Sequence, residues 1–350
     1  MNDRIYMHRC LELAVKGAGL VAPNPMVGAV LVHNDCIIGE GWHKKYGEAH
    51  AEVNCINEAV KNGFENDIAE STLYVSLEPC AHFGKTPPCA DLIIKYRIPK
   101  VVIGCRDPFE AVNGKGIERL RSAGVDVTVG ILENECRELN RRFFICQEKK
   151  RPYIVLKWAE TADGKISGTD GKRLLISNHL SNRLVHRWRS EEAAILVGTN
   201  TALNDNPQLN TRLWSGKSPV RLILDLNLRL PLSLNIFDGK QKTIILNTVK
   251  EAEEGNVLFV KMNKETGLVE EICRVIYQQN IQSVLVEGGA RLLQAFIDED
   301  MWAEIRVIRS KDIFAGEGLA APFLPAQVKK TDEINLAGDH ILIYRKQNKD

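Results

Sequence analysis

The 350-residue sequence has no excess of charge of either sign, since 46 Lys and Arg residues stand against 45 Asp and Glu residues. A chain without a net positive field is a poor candidate for nucleic-acid binding, which depends on clustered basic charge. No uninterrupted apolar run reaches the roughly 18 residues of a membrane span, and residues 1–9 carry charge and contain no apolar run of signal-peptide length, so neither a membrane span nor a signal peptide is expected. These absences predict a cytoplasmic protein with neither a nucleic acid nor a membrane as partner.

Cysteine occurs at nine positions without a repeated spacing, so a disulfide framework is not predicted. In a reducing compartment such thiols fill the core, bind metals or act as nucleophiles. The sequence also lacks the phosphate-binding GxxxxGK[ST] pattern, the dinucleotide-binding GxGxxG pattern and a Ser-His-Asp order. The sequence therefore gives no indication of the enzyme classes that these motifs identify.

The hydrophobic periodicity alternates between short β-rich runs and helical segments, which is typical of α/β proteins. In the first half it predicts strands over 27–32, 72–77, 100–104 and 125–129, and helices over 3–18, 49–61, 88–96, 116–123 and 133–148. The alternation restarts after the polar run 147–152, with strands over 153–157, 194–197, 220–224, 243–246 and 284–287, and helices over 181–192, 269–279 and following 289. The length and this boundary predict two α/β domains, 1–148 and 149–350.

Three potential metal ligands stand in order in the first half: His50, Cys80 and Cys89. Catalytic zinc sites keep three protein ligands and leave the fourth position to water, whereas structural sites fill all four. Glu52, two residues after the histidine, is the natural proton shuttle. The order H-x-E with P-C-x-x-C is the signature of zinc nucleobase deaminases, here stretched to Pro-Cys-x8-Cys.

On a regular helix, side chains two residues apart differ in direction by about 200°. His50 and Glu52 can therefore converge on one site only if His50 lies at the helix cap. Pro88 before Cys89 suits a first helical turn, where the helix dipole favours a thiolate. A lone His or Cys is more often a core residue than a ligand. His82 or Cys55 as a fourth ligand would instead make the site structural, as in an interaction module.

Extended motifs carry a resemblance to a known family. They include Pro23-Asn24-Pro25-Met26-Val27-Gly28, the triplet from His50 to Glu52, and the run Glu78-Pro79-Cys80-Ala81-His82-Phe83-Gly84-Lys85-Thr86-Pro87-Pro88-Cys89. The second half adds Ala162-Asp163-Gly164-Lys165-Ile166, Asp205-Asn206-Pro207, the run from Arg221 to Asp225, and Glu287-Gly288-Gly289. Over nearly its whole length the chain resembles the bifunctional deaminase-reductases of riboflavin biosynthesis.

This resemblance implies a cytidine-deaminase-like α/β/α sandwich followed by a dihydrofolate-reductase-like α/β domain. The implied reactions are zinc-dependent hydrolytic deamination of a diamino-hydroxypyrimidine bearing a phosphoribosylamino group, then NADPH-dependent reduction of its ribosyl group to ribityl. The implied cofactors are Zn²⁺ and NADPH, and the implied partners are small phosphoribosylaminopyrimidines. The sequence leaves a homo-oligomer open, as it does a preference for NADPH over NADH.

The resemblance also implies binding residues. In the first half, Asn24 would contact the pyrimidine, and His43 and Lys85 would lie near the polar groups and phosphate of the substrate. In the second half, Lys157 would assist reduction, and the other substrate contacts would be Arg173, Arg189, Leu209, Arg212 and Glu287. The implied NADPH contacts are Ala159, Leu175, Thr201, Asp205, Gly289, Ala290, Arg291, Leu292 and Leu293.

From physical chemistry alone the second half offers one weak cofactor signal. Gly288-Gly289 follows a predicted strand and precedes a helix, whose first amides suit a phosphate. The chain departs from the family pattern at four positions, so contacts there are open: Arg173 and Leu175 replace Ser and Trp, Ala193 replaces Asp, and Phe109 replaces Asn. The alternative function is a zinc deaminase of cytidine or of tRNA adenosine with an unrelated C-terminal domain.

Overall fold

A computed structural model describes residues 3–84, 87–169, 174–263, 265–325 and 328–346, and the chain divides into two units, 1–149 and 150–350. In the first unit a five-stranded sheet has the order β2-β1-β3-β4-β5. The strands are β1 (Gly28–His33), β2 (Cys36–Trp42), β3 (Thr72–Leu77), β4 (Lys100–Cys105) and β5 (Asp126–Val129). β1 pairs antiparallel with β2 and β3, whereas β3, β4 and β5 run parallel.

In the described part of this unit, six α-helices cover the sheet: α1 (Asp3–Val15), α2 (Ala51–Lys61), α3 (Cys89–Lys95), α4 (Lys115–Ser122), α5 (Glu133–Leu139) and α6 (Arg141–Lys149), with a 3₁₀ helix at Glu65–Glu70. Apolar residues of α2, α3 and α4 pack on one face of the sheet. Residues of α1, α5 and α6 pack on the other face. The unit is therefore an α/β/α sandwich, as the sequence predicts. The carboxyl end of β3 and the starts of α2 and α3 carry the predicted metal ligands.

The single helix predicted over 133–148 is wrong, because the structure breaks it at Asn140 between α5 and α6. The buried side chain of Asn140 accepts a hydrogen bond from the Met26 N–H and donates one to the Met26 carbonyl, each at 2.8 Å. Asparagine side chains compete with helical hydrogen bonding in this way. Strand β2 is not among the predicted strands, because it contains two glycines and little periodicity.

The second unit contains a ten-stranded sheet in the order β11-β12-β10-β9-β8-β13-β6-β14-β17-β16, and a two-stranded sheet of β7 and β15. Seven strands of the large sheet run parallel: β6, β8, β9, β10, β12, β13 and β14. The strands are β6 (Tyr153–Glu160), β7 (Lys165–Gly168), β8 (Ala194–Gly198), β9 (Val220–Leu224), β10 (Thr243–Asn247), β11 (Ala252–Glu254), β12 (Val257–Lys261), β13 (Ser283–Gly288), β14 (Glu304–Ser310), β15 (Gly318–Ala320), β16 (Val328–Leu336) and β17 (Asp339–Lys346).

The helices of this unit are α7 (His179–Glu191), α8 (Thr199–Asp205), α9 (Leu268–Gln278) and α10 (Ala290–Asp298), with a short 3₁₀ helix at Asn235–Phe237. Helices α9 and α10 fill the larger core on one face of the sheet. Residues of α8, the 3₁₀ helix and the intervening loops form a second core on the opposite face. Alternation along β6 and β13 therefore sends Leu156 and Val286 into the first core and the next residues, Lys157 and Glu287, to the other face.

Five predicted strands of the second half exist within one or a few residues of their expected bounds. The periodicity does not predict helix α8 or the strands β7, β11, β12, β14, β15, β16 and β17. Among the described residues, the helices are all too short or too polar to cross a bilayer.

Candidate active sites

The first unit brings the three predicted metal ligands together. Among the described residues, the ligand atoms of His50, Cys80 and Cys89 lie within 4.8 Å of one another and form the one group of this kind. The Nδ1 atom of His50 is 3.3 Å from the Cys89 Sγ and 3.7 Å from the Cys80 Sγ. One imidazole and two thiols at these separations match a zinc site that keeps a position for water.

Helix ends and a strand end produce this convergence. His50 is the N-cap residue of α2, with extended backbone dihedrals, so it escapes the rotation that would separate it from Glu52. Cys89 is the first residue of α3, preceded by the N-cap Pro88. Both local predictions are confirmed.

Glu52 lies beside the three ligands with only 3% of its surface exposed. Burial raises the pKa of its carboxyl group, and the charge of His50 opposes that shift. A carboxyl group whose neutral form is stabilised accepts a proton more readily than a solvent-exposed one, which suits a proton shuttle. The Cys80 pKa is lowered to about 4, first by the hydrogen bond from Cys89, which favours the thiolate that binds metals.

Glu78 fixes the end of β3 from which Cys80 projects, a role that no pattern in the sequence indicates. Its buried carboxylate accepts hydrogen bonds from four backbone N–H groups at 3.0–3.2 Å, those of Asp107, Gly114, Gly116 and Ile117. A Cβ atom at Gly116 would lie 1.9 Å from the Pro79 carbonyl, so only glycine permits this approach. The end of β3 is thereby fixed to the segment from Asp107 to Ile117.

Asn24 and His43 lie next to the ligand group. The rings of His43 and His50 are 5.3 Å apart edge to face, and His43 Nε2 is 3.2 Å from Asn24 Nδ2. His43 Nδ1 is 3.1 Å from the Ala49 carbonyl, so Nδ1 carries the proton and Nε2 accepts from Asn24. Burial lowers the pKa of His43, in keeping with this neutral form.

Asn140 is a positioning residue that sequence reasoning missed. Its two hydrogen bonds to the backbone of Met26 hold the loop two residues after Asn24. In the sequence Asn140 is one polar residue within a charged, amphipathic helical pattern, and nothing there indicates its distant partner Met26. The contact fixes the backbone of Met26, two residues after Asn24.

Two further residues that the sequence offers as possible ligands, Cys55 and His82, have other partners. Cys55 donates its thiol hydrogen to the Gly39 carbonyl at 3.3 Å, and His82 packs edge to face on Phe109 with ring centroids 5.9 Å apart. Neither belongs to the ligand group found among the described residues. Lys85 lies outside the described residues.

In the second unit, Glu287 at the end of β13 forms a two-pronged ion pair with Arg189 of α7. Arg189 Nε and one terminal nitrogen each donate to a Glu287 carboxylate oxygen at 2.7 Å. Burial alone would raise the pKa of Glu287, but the charges of Arg189 and Lys157 lower it to about 2. Lys157 is close because β6 and β13 pair through Leu156 and Val286, one residue earlier.

A cleft of about 230 Å³ lies beside this pair and contains four predicted residues together with four that were not predicted. It is lined by Arg189, Asp205, Asn206, Pro207, Gln208, Leu209, Arg212 and Asn235. An Arg212 terminal nitrogen donates to the Asn210 side-chain oxygen at 3.0 Å, and Arg189 donates to the Asn210 carbonyl at 3.2 Å. Two arginines converging on one cleft suit a phosphate group.

Six of the predicted cofactor residues, Thr201 and those from Gly289 to Leu293, have two kinds of surroundings. Gly288 adopts φ +137° and Gly289 caps α10, and a Cβ atom at Gly289 would lie 3.3 Å from the Thr201 hydroxyl. Gly289 thus lies close to α8, and the first helical amides of Ala290 and Arg291 suit a phosphate group. By contrast, Leu292 and Leu293 place their side chains in the core and donate their N–H groups to the Gly289 carbonyl.

Ala159 and Leu175 are also predicted cofactor contacts, and Leu175 is one of the departures from the family pattern. Ala159 lies on β6 opposite Ile308 of β14. Leu175 is 71% exposed, and Ala193 donates its N–H to the Ser283 hydroxyl at 3.0 Å. Arg173 lies outside the described residues.

Comparison with protein families finds a separate match in each half of the chain. A model described as the cytidine and deoxycytidylate deaminase zinc-binding region matches residues 1–105, and one described as the RibD C-terminal domain matches residues 152–325. The riboflavin biosynthesis protein RibD of Aquifex aeolicus (strain VF5) is 39% identical over 361 residues, covering 98% of each chain. RibD of Bacillus amyloliquefaciens is 39% identical over 313 residues, covering 87% of this chain and 83% of its own.

Two solved structures are similar along almost the whole chain. A diaminohydroxyphosphoribosylaminopyrimidine deaminase/5-amino-6-(5-phosphoribosylamino)uracil reductase from Thermotoga maritima has a TM-score of 0.88 at 38% identity, with 99% of both chains covered. Form 1 of Acinetobacter baumannii RibD has a TM-score of 0.88 at 32% identity, again with 99% of both chains covered.

Proposed function

The chain belongs to the RibD family of riboflavin biosynthesis proteins, and from this membership we propose how its two halves divide two consecutive reactions. The protein is a bifunctional deaminase and reductase. We assign the zinc-dependent deaminase to 1–148 and the NADPH-dependent reductase to 149–350. The observation that carries this proposal is the group formed by His50, Cys80 and Cys89 with the buried Glu52 beside it.

The first step hydrolyses 2,5-diamino-6-(5-phosphoribosylamino)pyrimidin-4(3H)-one to 5-amino-6-(5-phosphoribosylamino)uracil, the compound on which the Thermotoga reductase acts. Water enters, and ammonia leaves. The second step adds a hydride from NADPH and a proton, which converts the ribosyl group to ribityl.

Family membership confirms the resemblance found in the sequence, and with it the predicted fold class. The alternative of a cytidine or tRNA adenosine deaminase with an unrelated C-terminal domain is not favoured, since the C-terminal half matches the RibD reductase model. A purely structural zinc module is not favoured either, because it would have no use for a buried carboxyl group beside its ligands. The cytoplasmic location stays a prediction of the sequence.

The donor set of the first unit fits zinc, which His50, Cys80 and Cys89 would hold. When bound, zinc supplies a water whose pKa is lowered toward neutrality. Glu52 takes a proton from the attacking water and delivers it to the departing amino group. Asn24 and the neutral His43, fixed by their mutual hydrogen bond, orient the pyrimidine ring.

In the second unit the residues bind and orient both reactants. Arg189 and Arg212 hold the sugar phosphate in the cleft, and Lys157 and Glu287 face the ribosyl group. The backbone at Gly288-Gly289 and the hydroxyl of Thr201 contact NADPH, with Asp205 at the end of α8. The ammonium group of Lys157, on the same face of the sheet as Glu287, donates the proton that accompanies the hydride.

Removing the metal should separate the two activities of the intact chain. We expect the chelator-treated protein to stop releasing ammonia from the diaminopyrimidine, while it still oxidises NADPH when given the deaminated substrate. Added zinc should restore ammonia release. Ammonia release that persists without metal would contradict the assignment of the first unit, and release from cytidine in preference to the phosphoribosyl compound would favour the alternative.

Arg212→Ala should raise the KM of the reductase for its ribosyl substrate by about tenfold or more, since a charge-assisted hydrogen bond contributes about 1.5–3 kcal/mol. The KM for NADPH should stay nearly unchanged. Steady-state kinetics with each reactant varied in turn checks this. Arg187→Ala serves as control, because Arg187 is exposed on α7 and bonds Glu191. If the variant instead raised the KM for NADPH and left the KM for the ribosyl substrate unchanged, Arg212 would be assigned to the cofactor phosphate.

A further inference from the structure

The loop from Asp205 to Arg212 supplies most of the lining of the second-unit cleft, yet it has little regular structure of its own. Asn206 and Leu209 both adopt left-handed backbone conformations, with φ +40° and +51°. Non-glycine residues pay a conformational cost in this region and persist there only where surrounding contacts impose it. The shape of the loop must therefore be fixed from outside.

Side chains from neighbouring segments hold the loop, among them Asn235, Arg221 and Gln241, in addition to Arg189, which donates to the Asn210 carbonyl. Asn235 Nδ2 donates to the Asn206 carbonyl at 2.8 Å, and the Asn235 N–H donates to the Asn206 side-chain oxygen at 2.7 Å. Arg221 Nε donates to the Gln208 carbonyl at 3.0 Å. Gln241 Nε2 donates to the Leu209 carbonyl at 3.1 Å.

Arg221 is the central member of this set. It begins the Arg221 to Asp225 motif, which neither proposed reaction uses. Its side chain is 1% exposed, and the guanidinium group donates to both carboxylate oxygens of Asp238, at 2.7 and 3.3 Å, and to the Ile236 carbonyl at 3.3 Å. Burying a charge is costly unless it is paired and hydrogen-bonded, and here both conditions are met.

The geometry of these bonds needs an arginine. One planar group reaches the Gln208 carbonyl on the cleft side with Nε and the Asp238 carboxylate with its terminal nitrogens. A lysine ammonium is a single point and cannot span both partners in this fixed arrangement. Asp238 in turn has its pKa lowered by the hydrogen bond from Arg221, so it stays ionised as the counter-ion.

We propose that Arg221 is a positioning residue for the phosphate end of the reductase substrate, acting through the Gln208 carbonyl to fix Leu209 and, beyond it, Arg212. The inference rests on the proposed function, in which Arg189 and Arg212 hold that phosphate. Arg221 itself is buried and does not touch the substrate. Its effect on the substrate is therefore exerted through the cleft-lining residues Gln208, Leu209 and Arg212.

Arg221→Lys tests this in the full-length protein. The reductase substrate and its analogue without the phosphate, 5-amino-6-ribosylaminouracil, are compared by kcat/KM. We expect the variant to lose about tenfold in kcat/KM for the phosphorylated substrate, through KM, because small displacements of a positioning group are costly. The value for the unphosphorylated analogue and the rate of ammonia release in the first unit should not change.

Arg274→Lys is a matched control, because Arg274 makes the same two-pronged bond, to Glu271 on α9, a helix on the opposite face of the sheet from the second core. It should leave the preference for the phosphorylated substrate intact. Asp238→Asn, which keeps Arg221 in place but removes its counter-ion, should give a smaller loss in the same direction. This variant decides the question if Arg221→Lys fails to fold.

Equal losses on both substrates, or no loss in either variant, would overturn the positioning role. Failure of the proposed reductase function would be seen in the unmodified protein, which would then show no reductase activity or no preference for the phosphorylated substrate. The two failures are distinguishable because the second is measured without any substitution.

Discussion

Glu52→Gln is expected to lower the turnover of the deaminase by at least roughly 100-fold, the scale of positioned proton transfer, while zinc remains bound at one ion per chain. The glutamine fills the same buried space beside His50, Cys80 and Cys89 but can no longer carry a proton. Ammonia release and metal content measured on the same preparation check both parts of this expectation.

Glu58→Gln is the matched control for that variant. Glu58 lies on the same helix, α2, but its side chain is exposed and accepts a hydrogen bond from the Glu40 N–H, away from the ligands. Its deaminase activity should equal that of the unmodified protein. If Glu52→Gln lost its zinc, the carboxylate would be a ligand and the assigned proton shuttle would be wrong.

Cys80→Ser or Cys89→Ser should remove both the metal and the deaminase activity. A serine hydroxyl is a poor substitute for thiolate at zinc, and loss of a direct ligand should exceed the roughly 10–100-fold cost of losing an outer partner. Reductase activity on the deaminated substrate should persist in both variants, because Lys157, Glu287 and the cleft belong to the other unit. Zinc analysis and both assays on one protein sample measure this.

Cys55→Ser tests whether Cys55 is a metal ligand or a buried structural thiol. Cys55 lies on α2 and bonds the Gly39 carbonyl, a role that a serine hydroxyl can take over. The variant should retain zinc. Tight zinc binding in Cys80→Ser would instead point to His82 or another cysteine as the third ligand.

The sequence by itself determined the chemistry of the first unit. His50, Cys80 and Cys89 in this order, with Glu52 beside the histidine, form a donor set that suits zinc, and the proline before Cys89 predicts the helix start correctly. The cap position of His50 was also predictable, because a regular helix cannot aim residues two apart at one point. Local rules were sufficient there.

Contacts between distant residues were beyond such rules. Nothing local in the sequence marks Asn140 as the residue that breaks a helix to hold Met26, or Glu78 as the acceptor of four backbone N–H groups. In the second unit, Arg189 and Glu287 are 98 residues apart and meet only because α7 lies over the end of β13. Pairwise geometry across a parallel sheet depends on strand order, which periodicity does not encode.

The sequence therefore determined which residues of the first unit could hold a metal, because metal ligation demands particular side chains. Only the tertiary structure decided how the second unit shapes its cleft, since a loop with left-handed residues and a buried arginine takes its form from partners far along the chain. The physical reason is the same in both units: side-chain chemistry is local, whereas the burial that pairs Arg221 with Asp238 and Glu287 with Arg189 is a property of the packed sheet.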